Sequence, residues 1–238
     1  QKNSSSRSGS DNSSKITESE TCFSAPSLNA STQVPLLVVR VQYSNATFQS
    51  SASTWSKKIF SASDGNLNHY LNETTYGKYQ FSPANESNGC SNDGVVTVTM
   101  NENHPNTQKN SYSCYAEKAI RETDASVNYA SFDTNLNGKL DQYELQVMFL
   151  VSGGESASSI NTPGGIWAMA TSLKCDKNED GSITDSDGEH WVLLDSVQLL
   201  DSKSSPYSMN GYSQFGERHG YSSSNTWDAT IGVIAHEL

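Results

Sequence analysis

An acidic loop in the middle of the chain has the ligand spacing of a calcium-binding loop. It spans twelve positions from Asp133 to Glu144, with Gly138 at the sixth position, where such loops turn sharply. Calcium takes about six to eight oxygen ligands, and this segment supplies oxygens at alternate positions. A solvated turn rich in Asn and Gly is the alternative, but it would not require a glutamate at position twelve. The predicted calcium ligands are Asp133, Asn135, Asn137, the carbonyl of Lys139, Asp141 and Glu144.

A second acidic loop, residues 176–187, fits the same spacing less completely. Its first six positions match and Ile183 occupies the apolar position, but an aspartate stands where the first loop has glutamate. The shorter side chain would require the loop to close further, and Asp185 competes as a ligand. A solvated turn therefore stays open beside the calcium interpretation. The predicted ligands of this second site are Asp176, Asn178, Asp180, Ser182 and Asp187.

The chain ends with His236-Glu237-Leu238, the first three positions of the zinc-peptidase pattern His-Glu-x-x-His. In that pattern two histidines one helical turn apart bind one zinc ion, and the glutamate acts as general base. We predict His236 as a zinc ligand and Glu237 as the catalytic base. The dipeptide also arises by chance, so a solvated His beside Glu is the alternative. The apolar run 231–235 favours a packed helix with a buried His236.

Four widely spaced cysteines lack any C-x-x-C pair, which argues against a redox or zinc-ribbon motif. Two disulfides in an exported protein are the preferred interpretation, and all three connectivities are open. Four buried free thiols in a reducing compartment are the alternative. The cysteines are Cys22, Cys90, Cys114 and Cys175.

The charge balance excludes some classes of partner. With 15 Lys+Arg against 26 Asp+Glu, the 238-residue chain has a formal net charge of -11, which disfavours nucleic acids and anionic membranes. No apolar run approaches the roughly 20 residues of a membrane span. The chain has no initiator Met and no apolar signal core at its start, so we expect a processed form or a fragment. Charged residues make up only 17%, which is more typical of secreted proteins.

Alternating strand and helix patterns predict an α/β or α+β domain over residues 33–238, after a disordered Ser-rich arm at 1–32. Apolar, β-branched stretches predict strands at 35–43, 78–81, 95–100, 143–151, 165–170 and 191–194. A turn is expected at 153–155. Helical spacing predicts helices at 55–60, 66–72, 112–129 and 226–238.

Several of these segments, in this order, resemble the M6 family of secreted bacterial metallopeptidases, the immune-inhibitor-A type. The segments are 34–43, 68–78, the Asp133–Asp141 loop with its strand, 152–155, 165–167 and 231–238. The resemblance covers about residues 34–238. It implies a zincin or metzincin-like fold with a mixed sheet and an active-site helix, and a secreted endopeptidase acting on protein or peptide substrates.

The resemblance also implies Zn²⁺ bound by His236, Glu237 as base, and a second zinc His beyond Leu238. The chain as given would then be inactive by itself, with Ca²⁺ stabilising its fold. A non-catalytic secreted calcium-binding module, or a degenerate peptidase, is the alternative. It explains the acidic loops and disulfides equally well and treats His236-Glu237 as accidental.

Overall fold

The computed structural model describes residues 21–27, 29–106, 112–156, 165–173, 175, 191–199, 211–222 and 224–238. Its strands are β1 (Thr32–Tyr43), β2 (Tyr79–Pro83), β3 (Val95–Met100), β4 (Gln146–Glu155), β5 (Gly165–Ile166), β6 (Met169–Thr171), β7 (Val192–Leu194), β8 (Val197–Leu199), β9 (Tyr212–Ser222) and β10 (Asn225–Asp228). Its helices are α1 (Ala52–Phe60), α2 (Leu67–Thr74), α3 (Ser113–Arg121), a 3-10 helix at Tyr129–Phe132 and α4 (Ile231–Glu237).

Strand β1 is the centre of a mixed sheet. It pairs in parallel with β2, β3 and β4, and β4 pairs in parallel with β9. Two strands, β6 and β10, run antiparallel to β9 along the same side of it. The path through the sheet is β10-β9-β4-β1-β2. These described elements confirm the α+β class and the mixed sheet.

Both faces of β1 are covered, as its mainly apolar sequence predicts. One face packs against α1, α2 and α4, where Trp55, Ile59 and Ile234 are fully buried. The other face packs against α3, which contributes Ala116 and Ile120, and against a separate two-stranded sheet formed by β7 and β8. The sheet therefore lies between α4, the helix that carries His236, and the β7–β8 pair.

Two predicted helices are shorter in the structure. The helix predicted at 112–129 ends at Arg121, and the hydroxyl of Thr123 donates to the carbonyl oxygen of Ile120 at 2.6 Å. This bond diverts the chain into turns before the 3-10 helix. The helix predicted at 226–238 is also wrong over its first part, because residues 225–228 pair with β9 as β10. Helix α4 begins only at Ile231.

The turn predicted at 153–155 is extended strand. Gly153 has a φ of +106°, and the pairing of β4 with β9 shifts register between Val151 and Gly154. The strand bulges there and then continues to Glu155. A Cβ on Gly216 would lie 2.4 Å from the carbonyl oxygen of Gly154. The close approach of β4 and β9 at this point therefore requires a residue without a side chain.

The four cysteines form two disulfides, as predicted, and one connectivity is selected, Cys22–Cys90 and Cys114–Cys175. Phe23, next to the first bridge, packs against the core on the α1 face, so the chain is attached to the domain before residue 33. The bridges are compatible with an extracellular protein. Within the described residues no helix is long and apolar enough to cross a membrane.

Candidate calcium and zinc sites

The first acidic loop folds back on its own first residue. The carboxylate of Asp133 accepts hydrogen bonds from the backbone N–H groups of Asn137, at 3.1 Å, and Gly138, at 2.8 Å. Gly138 has a φ of +78°, the left-handed conformation that a sharp turn at the sixth position requires. The side-chain oxygen of Asn137 accepts from the N–H of Lys139 at 2.8 Å. The loop thus adopts the compact turn that its spacing predicts.

Glu144 closes the loop from its other end. Its carboxylate accepts from the hydroxyl of Thr134 at 2.9 Å, from the N–H of Asn135 at 3.0 Å and from the N–H of Asp141 at 3.2 Å. The glutamate at position twelve therefore contacts residues at positions two, three and nine. Glu144 is thereby bonded to Asn135 and Asp141, two of the other predicted ligands, in one compact turn.

Burial and charge at this loop fit a hard cation. Asp133 and Glu144 are only 8% and 6% exposed as whole residues, and neither forms an ion pair with any described residue. Buried carboxylates ordinarily have a cationic partner, because burying an unpaired charge is costly. Carboxylate, amide and backbone oxygens together are the ligand set that Ca²⁺ prefers. Leu140 is buried, as predicted for the apolar position.

The second acidic loop lies outside the described residues, so its five predicted ligands stay predictions. Cys175, immediately before the loop, is bonded to Cys114 in α3. Strand β7 follows the loop at Val192. Over the described part of the chain, the first acidic loop included, no three His, Cys, Asp or Glu side chains are gathered as a metal site.

His236 lies on the outward side of α4, at an open cavity of about 310 Å³ between α2 and α4. The prediction of a buried His236 is wrong: Ile234 takes the fully buried position of this helix, and His236 is exposed. Glu237 is half-buried. An exposed imidazole that lines a cavity is free to accept a metal ion on that side. The residues lining the cavity are Tyr70, Ile231, Gly232, Ala235 and His236.

The start of α4 is held by two charged residues that sequence reasoning missed. The carbonyl oxygen of Glu217 accepts from the N–H of Ala229 at 2.8 Å, and Lys58 donates to the carbonyl oxygen of Ala229 at 2.9 Å. Ala229 lies two residues before the helix begins. Burial is the main cause that lowers the pKa of Lys58, partly offset by the nearby carboxylate of Asp228. Glu217 lies between Gly216 and Arg218 in a polar stretch of β9, so no local sequence pattern marks its role.

The remaining histidines stand apart from α4. His69 forms an ion-pair contact with Asp64 at 3.0 Å, and His104 is buried beside Tyr43. His219, opposite Trp227 in the β9–β10 pair, is half-buried, and its Nε2 atom has no hydrogen-bond partner among the described residues. Burial, followed by the charge of Lys58, lowers the pKa of His219. His190 lies outside the described residues.

The fold and its bridges define a disulfide-linked α+β domain built on a mixed sheet, with a compact acidic loop and a terminal helix that presents one histidine. Comparison with known protein families and with curated proteins finds no match to this chain.

Proposed function

We propose that this chain is part of a secreted, calcium-stabilised zinc endopeptidase with a metzincin-like fold, of the type found in the M6 family. The observation that carries the proposal is the position of His236, exposed on α4 at the edge of an open cavity. Helix α4 begins at Ile231, and its start is held through Ala229 by Glu217 and Lys58. A ligand on a helix anchored in this way would keep its direction relative to the sheet.

In the proposed site, the imidazole of His236 is the first zinc ligand. The second histidine would lie four residues further on, one helical turn along the same face. Gly232, one turn before His236, adds no side chain to the cavity and leaves room for substrate. When bound, zinc supplies Lewis acidity, polarising the scissile carbonyl and a water molecule.

Glu237 is the proposed general base. Its half-buried carboxylate would take a proton from the attacking water and donate it to the leaving amine nitrogen. One carboxylate thus serves both proton transfers, so removing it should affect the chemical step far more than the binding of zinc or substrate.

The experiment compares a longer chain, carrying the coding sequence downstream of Leu238, with its Glu237→Ala variant in casein hydrolysis. We expect the parent to cleave casein with zinc and calcium present, and the variant to lose about two to four orders of magnitude in rate. Zinc content, measured by metal analysis, should be the same in both proteins. If both are inert while fully loaded with zinc, the peptidase proposal is wrong.

A non-catalytic calcium-binding module is the second candidate. Its supporting observation is that the first acidic loop contains two buried carboxylates that form no ion pair with any residue the structure describes. This candidate predicts calcium binding without zinc binding, and casein untouched by the longer chain. Casein hydrolysis and zinc content, measured on the longer chain and its Glu237→Ala variant, therefore distinguish the two candidates.

A further inference from the structure

The β7–β8 hairpin contacts the chain at two places, once just before the first acidic loop and once within it. The carboxylate of Asp195, in the hairpin turn, accepts from the backbone N–H of Tyr129 at 2.7 Å. Tyr129 begins the 3-10 helix that leads directly into Asp133. The second place is Gln198 in β8, whose backbone forms a bridge with Lys139. The hairpin therefore contacts the chain at the entrance of the loop and again near its middle.

The bridge at Gln198 determines which way the Lys139 peptide faces. The N–H of Gln198 donates to the carbonyl oxygen of Gly138 at 2.9 Å, and its carbonyl oxygen accepts from the N–H of Leu140 at 2.8 Å. In extended backbone the N–H and C=O of one residue point away from those of its neighbours. The N–H of Lys139 accordingly points into the loop, where it reaches Asn137. Its carbonyl, the predicted backbone ligand, is directed to the same side.

The hairpin is itself fixed to the core, so it can act as a rigid support. Val192, Val197 and Leu199 are buried in the same apolar cluster as Leu140. Asp195 and Ser196 have φ values of 48° and 68°, the pair of left-handed conformations of a tight two-residue hairpin turn. The turn places the Asp195 carboxylate against Tyr129, and the buried strands keep it there.

On the basis of the proposed calcium site, we propose that the β7–β8 hairpin holds the first acidic loop in its calcium-binding shape. Asp195 is a positioning residue: it does not contact the ion, but it holds the entrance of the loop, while Gln198 orients the carbonyl of Lys139. A loop already held in its binding shape loses less conformational entropy when it binds calcium. The hairpin thereby raises the calcium affinity of a single loop that has no paired partner loop among the described residues.

Three substitutions in one turn test this role. Asp195→Gly removes the acceptor of the Tyr129 N–H but retains the left-handed turn, which glycine favours. Asp195→Asn retains both an acceptor oxygen and the turn preference. Ser196→Gly, one residue further on, is the matched control, because it makes the same backbone change without removing the bond to Tyr129. Melting temperatures in saturating calcium would show that all three variants are folded.

The measurement is the dissociation constant of Ca²⁺, determined by calorimetric titration of the whole chain. We expect Asp195→Gly to weaken binding by roughly five- to tenfold, the order expected from losing one hydrogen bond that holds the loop. Asp195→Asn and Ser196→Gly should stay within about twofold of the parent, which is below the effect of one hydrogen bond. Wild-type affinity in Asp195→Gly would overturn the positioning role.

Hydrogen exchange on the parent protein gives a second readout that needs no variant. Calcium should slow amide exchange in the hairpin, residues 192–199, as well as in the loop, residues 133–144. Slower exchange in the loop without any change in the hairpin would also overturn the positioning role. Failure of the calcium site itself would look different, because the parent would then bind no calcium, or Asp133→Ala would bind it as tightly as the parent.

Discussion

The carboxylate of Glu217 accepts both the backbone N–H of Ser50, at 2.9 Å, and the Ser50 hydroxyl, at 2.6 Å. It also accepts the N–H of Gln49 at 2.9 Å, so one fully buried side chain in β9 holds the segment that leads into α1. The same residue's backbone carbonyl holds Ala229 before α4. Glu217 therefore connects the sheet to the start of α1 and, through Ala229, to the start of α4, the helix that carries His236.

Replacing Glu217 by Gln should lower the free energy of unfolding by about 2 to 4 kcal/mol, because an amide NH₂ group would face the N–H donors that the carboxylate now satisfies. Chemical denaturation at pH 7 measures this change. A matched control is Glu122→Gln, since Glu122 is exposed at the end of α3. Equal stabilities of the two variants would contradict the role assigned to Glu217.

The same variant should change the pH dependence of stability. Burial raises the pKa of Glu217 above its ordinary value, against the opposing effect of the Ser50 bonds. The folded state therefore holds this proton to higher pH than the unfolded state, and stability falls as pH rises from the unfolded pKa to the raised folded pKa. Glu217→Gln should remove that fall, which denaturation between pH 4 and neutral pH would reveal.

Asp133→Ala should abolish the stabilisation by calcium, because it removes the first ligand and the acceptor of two loop N–H groups. We expect calcium to raise the melting temperature of the parent and EDTA to lower it. Asp124→Ala, an exposed aspartate outside the loop, should respond to calcium like the parent. An equal rise in melting temperature for Asp133→Ala would place calcium elsewhere.

His104 should make the protein less stable in acid. Burial lowers its pKa from an ordinary 6.5 to about 4, and its Nδ1 atom accepts the N–H of Asn106 at 3.0 Å. Between these values the unfolded chain binds the proton and the folded chain does not, so stability decreases as pH falls from 6.5 towards 4. His104→Gln should flatten this slope in denaturation curves.

Gly216→Ala should destabilise the sheet strongly, because its Cβ would lie 2.4 Å from a backbone oxygen of β4 that cannot move independently. We expect a loss of about 3 kcal/mol or more, typical of overpacking against backbone. Gly232→Ala in α4 is the control, since its Cβ would meet only the Thr230 hydroxyl at 3.6 Å. Thermal melts of both variants measure the difference. If Gly216→Ala melts at or above the temperature of Gly232→Ala, β4 and β9 do not approach each other as closely at Gly216 as the structure shows.

Local patterns were enough to predict much of this fold. The β1 sequence is mainly apolar and rich in valine, so a strand covered on both faces follows from composition. The first acidic loop was predictable for the same reason, because its turn and its internal hydrogen bonds join residues only a few positions apart. The α1 helix, with Trp55 and Ile59 on one face, belongs to the same group.

Other features depend on partners far along the chain. The sequence has no glycine or proline between β10 and α4 to mark the end of one element, so residues 226–238 read as one helix. Only the pairing of β10 with β9 makes residues 225–228 a strand. The apolar run 231–235 predicts a packed helix but not which residue faces inward, so the exposure of His236 was decided by where α4 rests on the core. The role of Glu217 depends on Gln49 and Ser50, which lie more than 160 positions earlier.

The sequence by itself determined the class of the fold, the central strand, the compact acidic loop and the presence of paired cysteines, because each follows from composition or from contacts within a few residues. The tertiary structure alone decided the disulfide connectivity, the continuation of β4 through Gly153, the anchoring of α4 and the support of the loop by Asp195 and Gln198. These are contacts between segments brought together by burial of the two apolar faces of the sheet, and no local pattern contains them.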